Sequence, residues 1–388
     1  MSQENNIYIL NYWWAANYGA NLTAYAIHKI IENSLLINNA EYKQKLSENR
    51  FTFHHNFEKK YLKTLNIEEI VNNQNDIYIV GSDQVFRPKT NEIIFGDYLL
   101  NFAKPSCKKI AFSASFGVNL EQFLIENSQE TIDSIKNSLQ SFDAISVREK
   151  DGVDICQKLF GVNAEWIIDP VFILDSVYYD KLLENATEDY TNKIVSYMIN
   201  DKLSVYKNEK TCELYGSNKS IENWLNAIKT CKLFITNSFH GVCFAIMFNK
   251  PFICIVSSWA GSSRYNSLFE MLGIENQCIN SVTEIYEKDC LFKINYEKVN
   301  KRIEEERQRG LEFLEKALKS PITYQKEKTE VRIKYLENRI CQLEKQNNLC
   351  YHLKKYLWEK WLIIYHKYLP MPIKKCISFI WHGIKGKK

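Results

Sequence analysis

The chain has 388 residues, enough for two domains of ordinary size and an appendage. With 45% hydrophobic and 25% charged residues its composition is globular, which excludes a disordered or fibrous chain. The net charge of +4 conceals a basic tail: Lys354 to Lys388 carries nine lysines against one glutamate, leaving −4 for the rest, and an acidic body argues against a nucleic-acid-binding face.

The opening "MSQENNIYIL" has no basic stretch followed by an apolar one, so no secretory signal is expected. No window approaches the ~18 uninterrupted apolar residues of a spanning helix. The eleven cysteines are dispersed, with no C-x-x-C spacing. They suit a reducing cytoplasm and predict neither a disulfide framework nor a structural zinc.

In chain order, "NIYIL" and "DIYIVGS" read as strands, and "GANLTAYAIHKIIENS" as a helix entered through a glycine turn. "KKIAFSASFG", "FDAISVRE" and "AEWIIDPVFIL" read as further strands, each beside a helical segment. Strands alternating with helices imply a parallel sheet covered on both faces. The acidic "LDSVYYDKLLENATEDYTN" reads as a connection, with Asp169–Pro170 a structural part of the link. The pattern restarts at "KIVSYMI" and continues through "TCELYGS", the helical "SIENWLNAIKTC", "KLFITNS", the helical "HGVCFAIMF" and "PFICIVS". The fold class expected is α/β, with two Rossmann-like lobes facing a cleft. The amino-terminal lobe spans residues 1–180, the carboxyl-terminal lobe 190–300 and a helical extension 301–388.

Within that extension "KRIEEERQRGLEFLEKALKS" is a charged helix. Beyond Pro321, apolar residues fall at heptad spacing at Ile333, Leu336, Ile340, Leu343, Cys350 and Leu357, with Asn347 on the same seam. The last stretch interleaves Trp358, Trp361, Trp381 and tyrosines with lysines, the composition of an interfacial helix on an anionic leaflet. A hairpin packed on the body, or a segment joining a homodimer, is the alternative reading.

Chemistry concentrates where strands end, which in such sheets is where ligands sit. "NYGA" holds Asn17 and Tyr18; "GSDQVF" holds Gly81, Ser82, Asp83 and Gln84; "ASFG" holds Ser115 and Gly117; "SVREKDG" holds Arg148 and Glu149; "TNSFHG" holds Ser238, His240 and Gly241. Singly, each has a plain explanation: an Asx-type turn for Asp83, a surface pair with Glu149 or Asp151 for Arg148, a satisfied turn histidine for His240. Five such stretches together point to a cleft. No G-x-S-x-G elbow makes Ser238 a nucleophile. No D-x-D or G-K-[ST] run suggests a nucleotide–metal site, and no metal requirement is expected.

"NYGANLTAYAIHK", "GSDQVF", "SASFG", "SVREKDG", "IIDPVFIL", "ENWLNAIKTCKLFITNSFHGVCFAIMFNKPFI" and "SRYNSLFEMLGI" occur in the order found in polysaccharide pyruvyltransferases, and residues 7–275 resemble that family. The resemblance implies a GT-B-like arrangement and an enzyme of exopolysaccharide or capsule biosynthesis. Its donor would be phosphoenolpyruvate, with no further cofactor, and its acceptor a glycan or lipid-linked oligosaccharide on the cytoplasmic face. The enol carbon is protonated, a sugar hydroxyl attacks the central carbon, phosphate departs, and a second hydroxyl closes a cyclic ketal. The resemblance makes Arg148 the anion-binding residue, in keeping with its planar fork, and His240 the proton-transfer group. Gly241 would let the backbone approach the ligand. Asp83 would orient or deprotonate a sugar hydroxyl; Asn17, Tyr18, Gly81, Ser82, Gln84, Ser115, Gly117 and Ser238 would line the cleft. Some members carry arginine where this chain has Ser238, so a second positive charge is expected from Arg264, or less favourably Lys250. A nucleotide-sugar glycosyltransferase and a non-catalytic assembly protein are the rival readings.

Overall fold

A computed structural model describes residues 6–12, 17–38, 52–70, 73, 75–90, 95–199, 211–214, 219–256, 262–274, 278–280, 294–322 and 326–345. The basic aromatic tail and the seam positions Asn347, Cys350 and Leu357 lie outside these residues. The chain divides into a compact unit of residues 1–332 and a second of residues 333–388.

Seven strands form the first sheet: β1 (Ile7–Leu10), β2 (Leu35–Asn38), β3 (Thr64–Asn66), β4 (Ile77–Val80), β5 (Lys108–Ala114), β6 (Ala144–Val147) and β7 (Glu165–Trp166). Their order is β3-β2-β1-β4-β5-β6-β7 and every pairing is parallel. Five more, β8 (Ile194–Tyr197), β9 (Thr211–Leu214), β10 (Leu233–Thr236), β11 (Phe252–Ile255) and β12 (Cys278–Ile279), form a second parallel sheet ordered β12-β11-β10-β8-β9. The α/β class read from the sequence holds. All of β4, β5 and β11 is buried, and β4 and β11 are the unbroken apolar runs expected of central parallel strands.

Helices α1 (Tyr18–Ile30), α2 (Thr52–Tyr61), α3 (Phe95–Tyr98), α4 (Leu120–Glu126), α5 (Gln129–Leu139) and α6 (Lys150–Ile155) accompany the first sheet. Then come α7 (Pro170–Ile173), α8 (Ser176–Leu183), α9 (Ile221–Thr230), α10 (Phe239–Met247), α11 (Ser263–Leu272), α12 (Tyr296–Lys319) and α13 (Lys326–Lys345). One buried cluster, from Ile9, Tyr18 and Leu22 through Phe172 and Trp224 to Phe244 and Phe313, runs between the two sheets.

Two readings change. "AEWIIDPVFIL" is not one strand: β7 stops at Trp166, and Asp169 caps α7, with Pro170 at its first position. Proline there gives up an N–H that a helix start leaves unpaired anyway. The acidic connection contains α8, capped by Asp175, whose carboxylate accepts from the Val177 N–H.

Helix α12 belongs to the first unit. Arg307 donates to the Ile173 carbonyl at 3.0 Å and pairs with Asp175 at 3.1 Å. Phe313 stacks on Phe112 of β5 at 6.2 Å. Lys108 Nζ donates to the carbonyls of Ala317, Leu318 and Ser320, groups that the end of a helix leaves unpaired. No helix of the described residues is long and apolar enough to cross a membrane.

Candidate functional site

Carboxyl ends of strands from both sheets deliver the chemistry to one place. The backbone keeps pairing past the strand ends: Ser115 N–H donates to Asp83 O at 3.0 Å and Arg148 N–H to Ala114 O at 3.0 Å. That continuation holds Asp83, Ser115 and Arg148 in register. Gly81 turns the chain with φ +128°, and a Cβ there would lie 2.2 Å from the Phe112 carbonyl oxygen, so the turn over β5 demands glycine.

Arg148 is the hub, with its side chain 1% exposed. Its Nη1 donates to Asp169 Oδ2 at 2.6 Å and to Ser82 Oγ at 3.4 Å; its Nη2 donates to Asp83 Oδ1 at 3.0 Å. Nε lies 3.5 Å from Glu149 Oε1, and the guanidinium carbon sits 4.5 Å from the Phe239 ring centroid. Three carboxylates therefore face one buried cation, which is neither a surface pair nor an open clamp. Asp151 is occupied elsewhere, accepting from the Ser263 hydroxyl.

His240 enters from the second sheet, at the second position of α10. Its Nε2 lies 3.0 Å from Thr23 Oγ1, 3.5 Å from Arg148 Nη1 and 3.6 Å from Asp169 Oδ2. Its ring fits only because α1 has glycine at position 19: a Cβ there would lie 2.1 Å from Nδ1.

Burial opposes charge on all three carboxyls, and the neighbours decide each outcome. Burial would raise Asp169, but a hydrogen bond from His240 and the charge of Arg148 hold it well below the carboxylate range. Asp83 is likewise desolvated, yet Arg148, His240 and Arg264 bring it below its ordinary value. At Glu149 burial prevails over Arg148 and the Ser115 hydroxyl, and its carboxyl is pushed up. Burial alone would lower Arg148, but Asp83, Asp169 and Glu149 raise it, so it stays charged. Asp83, 11% exposed against 1% for Asp169 and 0% for Glu149, is the member facing outward.

Arg264, in the first turn of α11, lies on the same aromatic: its guanidinium carbon is 5.5 Å from the Phe239 centroid. Phe239 thus carries both arginines. Helix α11 is tied to α6 by the Lys150 N–H donating to Ser267 Oγ at 3.0 Å and by the Lys150–Glu270 pair. Lys250 instead follows the end of α10 and precedes β11, at the amino end of the sheet.

Other sequence candidates fall into supporting positions. Asn17 caps α1, accepting from the N–H groups of Gly19 at 2.9 Å and Ala20 at 3.3 Å. Ser238 caps α10 through the Gly241 N–H at 3.2 Å. Gln84 lies beside Asp83, accepts from Arg87 at 3.0 Å and fills the space beside Gly117. Two candidates are engaged in packing. Tyr18 is buried, stacked on Trp224 at 5.0 Å with its hydroxyl bound to the Lys219 backbone; burial pushes its phenol up to about 12. Gly241 gives room to Thr236 and Phe234 of β10, and its N–H is taken by Ser238, so glycine there serves helix–sheet packing.

Sequence reasoning gave Asp169 only a structural place in the link and Glu149 only a surface pairing with Arg148, and it passed over Thr23 and Phe239. The signal for Asp169 was present in the Asp-Pro pair that starts a helix, and for Glu149 and Phe239 in their adjacency to Arg148 and His240.

The family model for polysaccharide pyruvyl transferase matches residues 17–258. No curated protein is significantly similar to the chain. Similar solved structures include an uncharacterised Klebsiella pneumoniae protein, 15% identical, covering 71% of this chain and 94% of that one, at a TM-score of 0.42. Arabidopsis thaliana UGT89C1 is 8% identical, with 81% and 100% covered and a TM-score of 0.45. The UDP-GlcNAc 2-epimerase of Neisseria meningitidis is 9% identical, with 86% and 99% covered and a TM-score of 0.43.

Proposed function

The chain belongs to the polysaccharide pyruvyl transferase family, and from that premise we propose that it moves the pyruvyl group of phosphoenolpyruvate onto two hydroxyls of one glycan sugar, releasing phosphate. The observation that carries this reading is the meeting of Arg148 from the first sheet with His240 from the second, 3.5 Å apart at the carboxyl ends of their strands. A donor lodged beside that pair meets a cation and an imidazole together.

The roles follow from exposure and charge. Both Nη atoms of Arg148 are engaged by aspartates, so the less buried Arg264, also against Phe239, makes the first contact with the anionic donor. Arg148 supplies positive potential from beneath and keeps Asp83 and Asp169 ionised. His240 moves the proton to or from the enol carbon. Asp83 accepts a hydrogen bond from the attacking sugar hydroxyl as the central carbon becomes electrophilic. The C–O bond to the sugar forms, the bond to phosphate breaks, and the second hydroxyl closes the ketal.

The acceptor in this reading is a glycan or a lipid-linked precursor on the cytoplasmic face of the membrane, where the basic aromatic tail holds the enzyme. Deleting residues 352–388 is then expected to shift the protein from membrane to soluble fractions without weakening donor binding; unchanged fractionation removes the address. Donor identity is tested by thermal denaturation. Phosphoenolpyruvate at a hundredfold excess over its Kd stabilises by about 2.7 kcal/mol, and nucleotide sugars leave the midpoint unchanged. Stabilisation by a nucleotide sugar instead overturns the assignment in favour of glycosyl transfer.

A further inference from the structure

A proton count around His240 identifies which of its nitrogens works. Thr23 has one hydroxyl proton, and Oγ1 lies 2.7 Å from the Gly19 carbonyl oxygen, one turn back in α1. With that proton committed, Oγ1 meets His240 Nε2 at 3.0 Å as an acceptor. The one donor near Nε2 is Arg148 Nη1 at 3.5 Å, and both of its protons have closer acceptors, Asp169 at 2.6 Å and Ser82 at 3.4 Å. The remaining neighbour, Asp169 Oδ2 at 3.6 Å, is a carboxylate and accepts only. Two acceptors, Thr23 Oγ1 at 3.0 Å and Asp169 Oδ2 at 3.6 Å, thus face Nε2 against one donor whose protons have closer partners, and the hydrogen is placed on Nε2. Nδ1 is left with the lone pair; it lies beside Gly19, which has no Cβ to crowd it, and no hydrogen bond among the described residues reaches it.

We propose that Thr23 is a positioning residue that, with Asp169 behind it, locks His240 in the Nε2–H tautomer, so that Nδ1 is the nitrogen that exchanges a proton with substrate. The proposal rests on His240 being the acid–base group of the reading above. Its structural half stands or falls without any donor being turned over.

The full-length protein, labelled with 15N in histidine, gives that half directly. The His240 signals are assigned by their loss in His240→Gln, and the neutral ring is then read in the resting enzyme. A pyrrole-like Nε2 and a pyridine-like Nδ1 are expected; the reverse pattern overturns the proposal whatever the enzyme's substrate. Turnover tests the other half. Thr23→Ser keeps the acceptor and is expected to stay within about twofold of the parent, whereas Thr23→Val loses one hydrogen bond and roughly tenfold in kcat with little change in KM. Undiminished kcat in the valine variant, with its tautomer unaltered, denies Thr23 its role. Absent turnover in the parent protein, with the expected tautomer intact, instead contradicts the donor assignment.

Discussion

Arg148 Nη1 and Asp169 Oδ2 lie 2.6 Å apart, each side chain 1% exposed, between the ends of β6 and β7. Asp169 also accepts from Ser82 at 3.0 Å and stands 3.6 Å from His240, so one carboxylate touches the residues of both sheets. Removing one member of a buried pair strands the other, which typically costs about 3–5 kcal/mol. Asp169→Asn is expected to lower stability by that order near neutral pH. Because Asp169 and Asp83 titrate below the free carboxylate value of ~3.9, their contribution is present above it and fades as pH falls through their native values. The gap between wild type and Asp169→Asn should therefore close in acid, which denaturant titration at several pH values measures.

His240→Gln should reduce transfer by about 10²–10⁴-fold, the range for loss of a general acid–base group. The glutamine amide can still reach toward Thr23 and Asp169, so the unfolding midpoint should change little. Circular dichroism melting beside the rate measurement separates loss of chemistry from loss of fold.

Gly19→Ala places a methyl carbon where the His240 ring lies, since the Cβ would come 2.1 Å from Nδ1 and 2.4 Å from the ring carbon Cγ. Alanine improves an exposed helix interior, but here the ring must move. The variant should fold and lose activity nearly as fully as His240→Gln. Activity retained within about tenfold, a margin of about 1.4 kcal/mol, would show that the ring has another position from which to act.

Glu149 gives a pH test of opposite sign to the aspartates. Its carboxyl is raised, so between the free glutamate value of ~4.3 and its native value the folded chain holds a proton that the unfolded chain releases. Wild-type stability falls as pH rises through that window. Glu149→Gln keeps an acceptor for Ser115 and does not titrate, so it should gain on wild type with rising pH. A gain that shrinks instead contradicts the assignment.

Lys109 on β5 is fully buried; its ammonium meets Ser141 Oγ at 3.2 Å, with Lys328 and Arg332 nearby. Burial brings it down to about 7, and the neighbouring cations add to the effect. Between the free lysine value of ~10.4 and 7, the unfolded chain binds the extra proton, so stability is lost as pH falls through that window. Lys109→Met should be the more stable protein at neutral pH, by a few kcal/mol (about 1.4 kcal/mol for each tenfold change in proton affinity), and should lose the advantage toward pH ~10. Chemical denaturation at pH ~7 and ~10 reads the difference.

What the sequence made legible was the set of strand ends. β4, β5, β6 and β10 are short strands that stop at Gly-Ser, Ser, Arg and Asn-Ser, and the residues at those stops meet in space. Where apolar runs continue without a break, as in "WIIDPVFIL", periodicity does not separate a strand from a short capped helix, and Asp169 was read as a linker residue. Its partnership with Arg148 spans 21 positions and is created by the sheet order. Tyr18 shows how a local pattern leaves packing unread: it follows the Asn17 cap, and the helix turns it onto Trp224. The pairing of Arg148 and Arg264 on one phenyl ring depends on how α6 and α11 are tied together, which no local pattern encodes.

The most direct test of pyruvyl transfer is the mass of an acceptor glycan after incubation with the protein and phosphoenolpyruvate labelled with 13C in its three carbons. The account predicts a labelled product heavier by one ketal-linked pyruvate, formed with stoichiometric phosphate release and abolished by His240→Gln. Phosphate release with no label in the glycan, or an equal product from the His240→Gln variant, would contradict it.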